Sequence, residues 1–425
     1  MIPVHRPYRA DAAADAVTAV LAGGWLGAGP TADAFERRLR AAVGARHVLA
    51  VASGTAALHL ALAALDLRPG DEVLVPSMTF AATVQAVVLA GGTPVFCEVR
   101  PDTLNLDPAD AAARVTPRTR VVLPVHYGGV PCDMAALHAL AARHRLRVVE
   151  DAAHAFGSTC GGRPVGALGD VTCFSFDPIK NITCGEGGAV ATDDDAVAAA
   201  VARLRRLGIE PAATGPAAPG GPPAPGYVVS SVGYRYHLGD VHAAIGLDQL
   251  DRAGEIRARK RAVVAAYDDA FADVGWLRPY ARPADCFPFN YVVRVPADAR
   301  AALMRHLAGR GVGSGVHYPP NHLQPAFARF RVPLPVTEQL AGEILTLPLH
   351  AGLTEAEVGT VVDAVRSFEP AGGRGDETCA CRDAAAPRLP GLLPGTAGTD
   401  RWAGPEAVGR QDEVVAPLRA GERVP

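Results

Sequence analysis

From Ala32 to about Arg206, short apolar runs alternate with alanine-rich stretches that carry apolar side chains at helical spacing. The runs are His47 to Val51, Glu72 to Val75, Thr93 to Glu98, Arg120 to Val125, Arg147 to Glu150, Val171 to Ser175 and Gly188 to Thr192. Short apolar runs alternating with helical stretches are what a mainly parallel α/β sheet requires. Between them, Ala56 to Leu65, Phe80 to Ala90 and Met134 to His144 predict helices. Strand and helix units repeated in this way predict one large α/β domain over 32–240 with a mainly parallel sheet, preceded by an N-terminal segment, 1–31. Farther on, Val241 to Tyr267 predicts a long linking helix, and Asn290 to Val295 and Ala301 to Ala308 a strand and helix of a smaller α+β domain within 241–368.

Two stretches depart from this rhythm. Pro211 to Gly226 consists of Pro, Gly, Ala and Thr alone, which predicts a mobile low-complexity surface loop. Residues 369–425 are rich in Gly, Pro and Arg without a sustained period, and are expected to form a disordered tail.

Composition narrows the function classes. Hydrophobic residues make up 49% of the 425 and charged residues 20%, so a globular protein is expected. With 41 basic against 44 acidic residues, and no basic block, neither a nucleic acid nor a membrane surface is an expected partner. No apolar run reaches the roughly 18 residues a membrane helix needs, and MIPVHRPYRA is no signal peptide, so the cytoplasm is the expected location. The eight cysteines include no CxxC pair and read as reduced thiols. Cys379 and Cys381 lack a second ligand pair at suitable spacing, so no metal site is expected.

Three segments carry candidate chemistry. In CFSFDPIKNITCGEGGAV, an apolar strand ends in Ser175 and Lys180 follows; the chain has one other lysine, Lys260. Lys180 is either a solvated loop residue or an amine held in a partly dry cleft, where a lowered pKa makes it a Schiff-base nucleophile. In LRVVEDAAHAFG, Asp151 follows an apolar strand at the carboxyl edge where α/β sheets bind ligands. It is either a helix cap or the carboxylate that keeps a pyridine nitrogen protonated. His154, three residues on, would touch a ring hydroxyl or merely pack. In VASGTAALHLAL, Ser53, Gly54 and Thr55 precede an apolar helix, an arrangement that either caps the helix or cups a phosphate at its N-terminus. Phe80 would stack on a planar ring or join the core.

Taken in order, SGTAALHLAL, GDEVLVPSMTF, PVHYGG, EDAAHAFG, SFDPIKNITCGEGG, VGYRYHLGDVHAAIGLDQL and VHYPPNHLQP make the chain resemble, over about Ile2 to Phe368, the DegT/DnrJ/EryC1/StrS family of sugar aminotransferases. The resemblance implies the aspartate aminotransferase type fold (fold type I) and pyridoxal 5'-phosphate as cofactor. It implies that Lys180 forms the Schiff base, Asp151 pairs with the ring nitrogen, His154 approaches the ring oxygen, Gly54, Thr55 and Ser175 hold the phosphate, and Phe80 covers the ring. Family members with histidine in place of the lysine are dehydratases; this chain keeps Lys180. The resemblance further implies a homodimer in which a residue of one subunit reaches the other's site, with Arg235 standing where relatives commonly have the asparagine of GYNYR. His317, Tyr318 and His322 are candidates for touching substrate or for holding their loop. SFDPIKNITCGEGG is similar to members that aminate C4 of nucleotide-linked 4-keto sugars, with glutamate or glutamine as amino donor. The alternatives are a 3-keto sugar, a cyclitol ketone, or a regulatory protein that binds the cofactor without turnover.

Overall fold

The computed structural model describes residues 1–211 and 226–370. Most of the expected loop and tail, 212–225 and 371–425, lies outside the described residues, as do Cys379 and Cys381.

Each apolar run becomes a strand of one seven-stranded sheet: β1 (His47–Val51), β2 (Glu72–Pro76), β3 (Thr93–Cys97), β4 (Thr119–Val122), β5 (Arg147–Asp151), β6 (Val171–Ser175) and β7 (Gly188–Thr192), in the order β1-β7-β6-β5-β4-β2-β3. All neighbouring pairs are parallel except those of β7, which runs antiparallel to both β1 and β6. Successive residues of a strand face opposite sides, and both sides are dry. Leu49 and Val51 pack on one face beneath α1 (Gly54–Ala63) and α2 (Ala81–Leu89), whereas Val48 and Ala50 pack on the other against Phe35, Leu39 and Phe174. This two-sided burial is why the strands read as apolar runs rather than alternating ones.

The long helix α3 (Asp240–Phe271) starts beside the large sheet and ends in a second core. There Val263, Tyr267 and Phe271 pack against the antiparallel sheet Arg278–Pro279, Tyr291–Arg294, Ile344–Leu347 and the helices Ala297–Gly309 and Glu355–Arg366. The first residues of the chain join this part too. Ile2 bridges Val312, and Leu349 donates its amide to the Val4 carbonyl. Among the described residues no helix is long and apolar enough to cross a membrane, and six cysteines are free thiols.

Candidate active site

The carboxyl ends of β1, β2, β5 and β6 lie along one edge of the sheet, where a parallel sheet offers the ends of strands and the starts of helices to a ligand. A cavity of about 290 Å³ opens there, lined by Gly54, Thr55, Phe80, Asp151, His154, Ser175, Lys180, His317 and Tyr318 among others. Nine of the eleven candidate residues are thus brought together from segments spread over more than half the chain.

One end of the cavity is the N-terminus of α1. Ser53 caps it, its side chain accepting from the Ala56 amide at 3.1 Å. The first amides of a helix have no partner within it and favour an anion. Gly54 is required by space rather than by backbone angle: a Cβ there would lie 2.6 Å from Cβ and 3.0 Å from Oγ of Ser175, so only glycine lets β6 approach this turn. Gly54, Thr55 and Ser175 thus line the cavity together beside the helix N-terminus, an arrangement that suits a phosphate.

Asp151 ends β5 with its side chain almost fully buried. Its Oδ2 accepts from the Thr83 hydroxyl at 2.7 Å and its Oδ1 from the Ala153 amide at 3.0 Å. Thr83 is itself held by Thr79 at 2.9 Å. Burial raises the Asp151 carboxyl above its ordinary range, while these hydrogen bonds and the Lys180 charge pull it back. A carboxylate so placed gains from any cation or acidic N–H brought into the cavity. Thr83, which fixes its direction, escaped the sequence reading, although its position three residues after Phe80 puts both at the start of α2.

Lys180 sits on a turn after β6, its amide donating to the Asp177 carbonyl at 3.0 Å. Its Nζ stands 4.7 Å from the centre of the Phe289 ring. Burial lowers its pKa from the ordinary lysine value, opposed by Asp151 and Asp177. His154 stacks on the same ring with centroids 4.1 Å apart. Its Nδ1 accepts from the Gly128 amide at 3.4 Å, which assigns the ring proton to Nε2, 3.0 Å from the Tyr318 hydroxyl. Burial, with Lys180 beside it, keeps this imidazole neutral. Burial and the same charge bring His317 down to about 4, and its Nδ1 lies 2.9 Å from the Thr346 hydroxyl. Phe80 is 59% exposed at the mouth, tilted against Tyr318, free of the core and available to cover a ring. Phe289 had no signal in the sequence; fully buried just before the strand Tyr291–Arg294, it backs Lys180 and His154.

Two candidates stand elsewhere. His322 lines no part of this cavity: it is fully buried between the Ser77 hydroxyl, 2.6 Å from Nδ1, and Glu338, 3.1 Å from Nε2, and so holds its loop. Arg235 is exposed and lines a separate surface hollow with Trp25, Arg206 and Tyr227. It does not line the cavity that holds Lys180 and Asp151.

The donor set fits pyridoxal phosphate: an anion cup at a helix N-terminus, a buried carboxylate, a desolvated amine and an exposed aromatic face around one cavity. Comparison with known proteins agrees. Residues 7–366 match the DegT/DnrJ/EryC1/StrS aminotransferase family. The spore coat polysaccharide biosynthesis protein SpsC of Bacillus subtilis is 37% identical over 378 residues, covering 86% of this chain and 97% of that protein. Among solved structures, the aminotransferase TlmJ of Streptoalloteichus hindustanus is 36% identical with a TM-score of 0.80, covering 86% of this chain and 98% of its own. DesI, solved in the presence of its TDP-sugar product, is 35% identical with a TM-score of 0.76, covering 86% and 92%.

Proposed function

The chain belongs to the DegT/DnrJ/EryC1/StrS aminotransferase family, and from that premise we propose that it moves an amino group from glutamate or glutamine to a nucleotide-activated keto sugar, at C4 of a 4-keto-6-deoxy or related sugar. It is a sugar aminotransferase and its cofactor is pyridoxal 5'-phosphate. The observation that carries the reading is the convergence of Lys180, Asp151 and the N-terminus of α1 on one cavity. The TDP-sugar product of DesI supports a nucleotide sugar as substrate class.

When bound, the cofactor supplies an electron sink that lets a C–H bond beside nitrogen break. Asp151, aimed by Thr83 and Ala153, would hold a proton on the ring nitrogen. Gly54, Thr55 and Ser175 would hold the phosphate, and Phe80 would shield the ring. Lys180 would be the covalent anchor of the cofactor and, as a free amine, could carry the proton taken from the carbon beside nitrogen, so one amine would serve as nucleophile and as acid and base. Burial lowers its pKa from the ordinary lysine value, which favours the unprotonated amine relative to an exposed lysine.

Incubating the protein with glutamate or glutamine and a panel of nucleotide 4-keto sugars, nucleotide 3-keto sugars and cyclitol ketones, then identifying the amine by mass spectrometry and NMR, tests the substrate assignment. A 4-amino product is expected. A 3-amino sugar or amino-cyclitol as main product would replace it, and no amine from any ketone would favour a binding protein.

Arg235 is proposed to reach the cofactor phosphate of the second subunit of a homodimer, where a guanidinium can bind bidentately. In a heterodimer with Arg235→Ala in one subunit and Lys180→Ala in the other, one site then takes both lesions and the other stays intact, so roughly half the activity survives, by the geometry of a two-fold dimer. Activity no better than that of the single mutants would end the cross-subunit assignment.

A further inference from the structure

Lys260 takes no part in the chemistry above, yet it is buried in α3 with 3% of its surface exposed. Its Nζ donates to Oδ1 of Asn181 at 2.9 Å and to the Phe289 carbonyl at 3.2 Å. Asn181 is the residue after Lys180, and its own Nδ2 donates to the Phe287 carbonyl at 3.2 Å. The two lysines of the chain thus meet at one aromatic ring, with Lys260 Nζ 5.5 Å and Lys180 Nζ 4.7 Å from the centre of Phe289. We propose that Lys260 is a positioning residue for Lys180: it ties Asn181 to the backbone at Phe289 and thereby holds the turn that carries Lys180 over the Phe289 ring. The proposal rests on Lys180 being the anchoring and proton-carrying amine of the reaction.

Burying an amine this deeply is costly unless it is used or neutralised, and a solvent-facing arginine is the usual basic residue of this chain. Two acceptors are what a neutral amine with two N–H bonds satisfies. Burial first, then the charge of Lys180, brings Lys260 down to about 7, with Cys286 opposing. The other groups facing the two amines are Asp151 and Asp177 beside Lys180, and the imidazoles His5, His154, His317 and His350, all driven below neutral pH by burial. The two lysines are therefore the cationic groups that face each other across Phe289, each lowering the other's affinity for a proton. Interacting sites titrate as a pair, so Lys260 gains affinity for a proton whenever Lys180 gives one up. The hydrogen bonds fix where Lys180 stands, and the coupling keeps this buried place from gathering two charges at once.

Because the chain holds two lysines, uniform ¹³C,¹⁵N-lysine labelling of the full-length protein gives two side-chain signals. In cofactor-free protein the Lys260 signal is expected to titrate near neutral pH, and Lys180→Met to move its midpoint up by at least about half a unit, as loss of a nearby like charge requires. A midpoint that does not move overturns the proposal. In cofactor-loaded protein, Lys260→Met is expected to lower kcat by roughly tenfold or more, as misplacement of a reacting group does, with KM for the ketone within about threefold. It should also shift the pH dependence of the cofactor's visible absorbance, and Lys260→Arg, which keeps donors but cannot give up its proton, should recover kcat in part while leaving that pH dependence shifted. Unchanged kcat in the Met variant, or equal losses in Met and Arg that follow thermal stability, would reduce Lys260 to a packing residue and overturn the proposal. Should Lys260→Met not fold, the titration of Lys260 in the wild type and in Lys180→Met still decides. Retention of a borohydride-reducible bond in Lys180→Ala would instead sink the assignment of Lys180, an outcome that these titrations do not mimic.

Discussion

In the Lys180→Ala variant the borohydride-reducible bond between protein and pyridoxal phosphate is lost, and transamination falls by at least about 10³-fold, the combined loss of a nucleophile and of the acid–base group. The expectation stands on the position of the amine rather than on its presence in a motif. Lys180 lines the cavity that also holds Asp151 and the N-terminus of α1, and burial lowers its pKa so that it reacts as a free base sooner than an exposed lysine does. Lys260 supplies the internal control. Its amine is spent on Asn181 and the Phe289 carbonyl, away from the cavity. Reduction of the wild-type protein, digestion and mass spectrometry should place the cofactor on the peptide containing Lys180. A reduced peptide with the cofactor on Lys260 would reverse the assignment, and the pH dependence of bond formation gives a second check. Its rate should rise with pH and level off below the ordinary lysine range, because the reacting species is the unprotonated amine.

Strands were legible because the sheet is buried on both faces. His47–Val51, Val171–Ser175 and Gly188–Thr192 begin and end where the apolar runs do, and the helix Met134–His144 coincides with its periodic stretch. Boundaries moved where a local contact outweighs periodicity. The helix expected from Ala56 starts at Gly54, since Ser53 reaches back to the Ala56 amide, and the long helix extends to Asp240, whose carboxylate also accepts the Gly29 and Ala32 amides, and to Phe271, which the second core buries. Strand direction was not legible. β7 has the composition of its neighbours, and its antiparallel course follows from the short return past Lys180 that leads from the end of β6 to its start. The site divides in the same way. Lys180, Asp151, Gly54 and Ser175 lie next to strand ends and carry signals that travel with the strand. Thr83, Phe289 and Lys260 act through partners 68, 109 and 79 residues away, at Asp151, Lys180 and Asn181, and no period along the chain encodes such meetings. His322 marks the reverse case, a histidine in a chemically suggestive segment whose two ring nitrogens are used up by Ser77 and Glu338.

Asp151→Asn should leave the cofactor bound while cutting turnover on the order of 10²–10³-fold, the scale on which one preorganised electrostatic contact is worth in catalysis. Lys180 and the phosphate cup are untouched, so borohydride still fixes the cofactor to the Lys180 peptide. What is lost is the negative charge that holds a proton on the ring nitrogen, and an amide with nearly the same shape cannot replace it. Stability distinguishes this reading from a capping role. Burial raises the Asp151 carboxyl, so the folded cofactor-free protein holds this proton to higher pH than the unfolded chain does. The stability that this group contributes is present below the ordinary carboxylate range, about pH 4, and is lost as pH rises through the raised value. Asparagine has no ionised form to desolvate. In thermal unfolding without cofactor, Asp151→Asn should therefore be at least as stable as the parent at pH 7, and the two should converge toward pH 4. A cap would give the opposite order, because the carboxylate accepting from Ala153 would then be stabilising at neutral pH and its loss would lower the unfolding midpoint. Adding pyridoxal phosphate closes the argument: a cation against the carboxylate removes its cost, so the cofactor should raise the unfolding midpoint of the parent more than that of the variant, and an equal rise in both would return Asp151 to the scaffold.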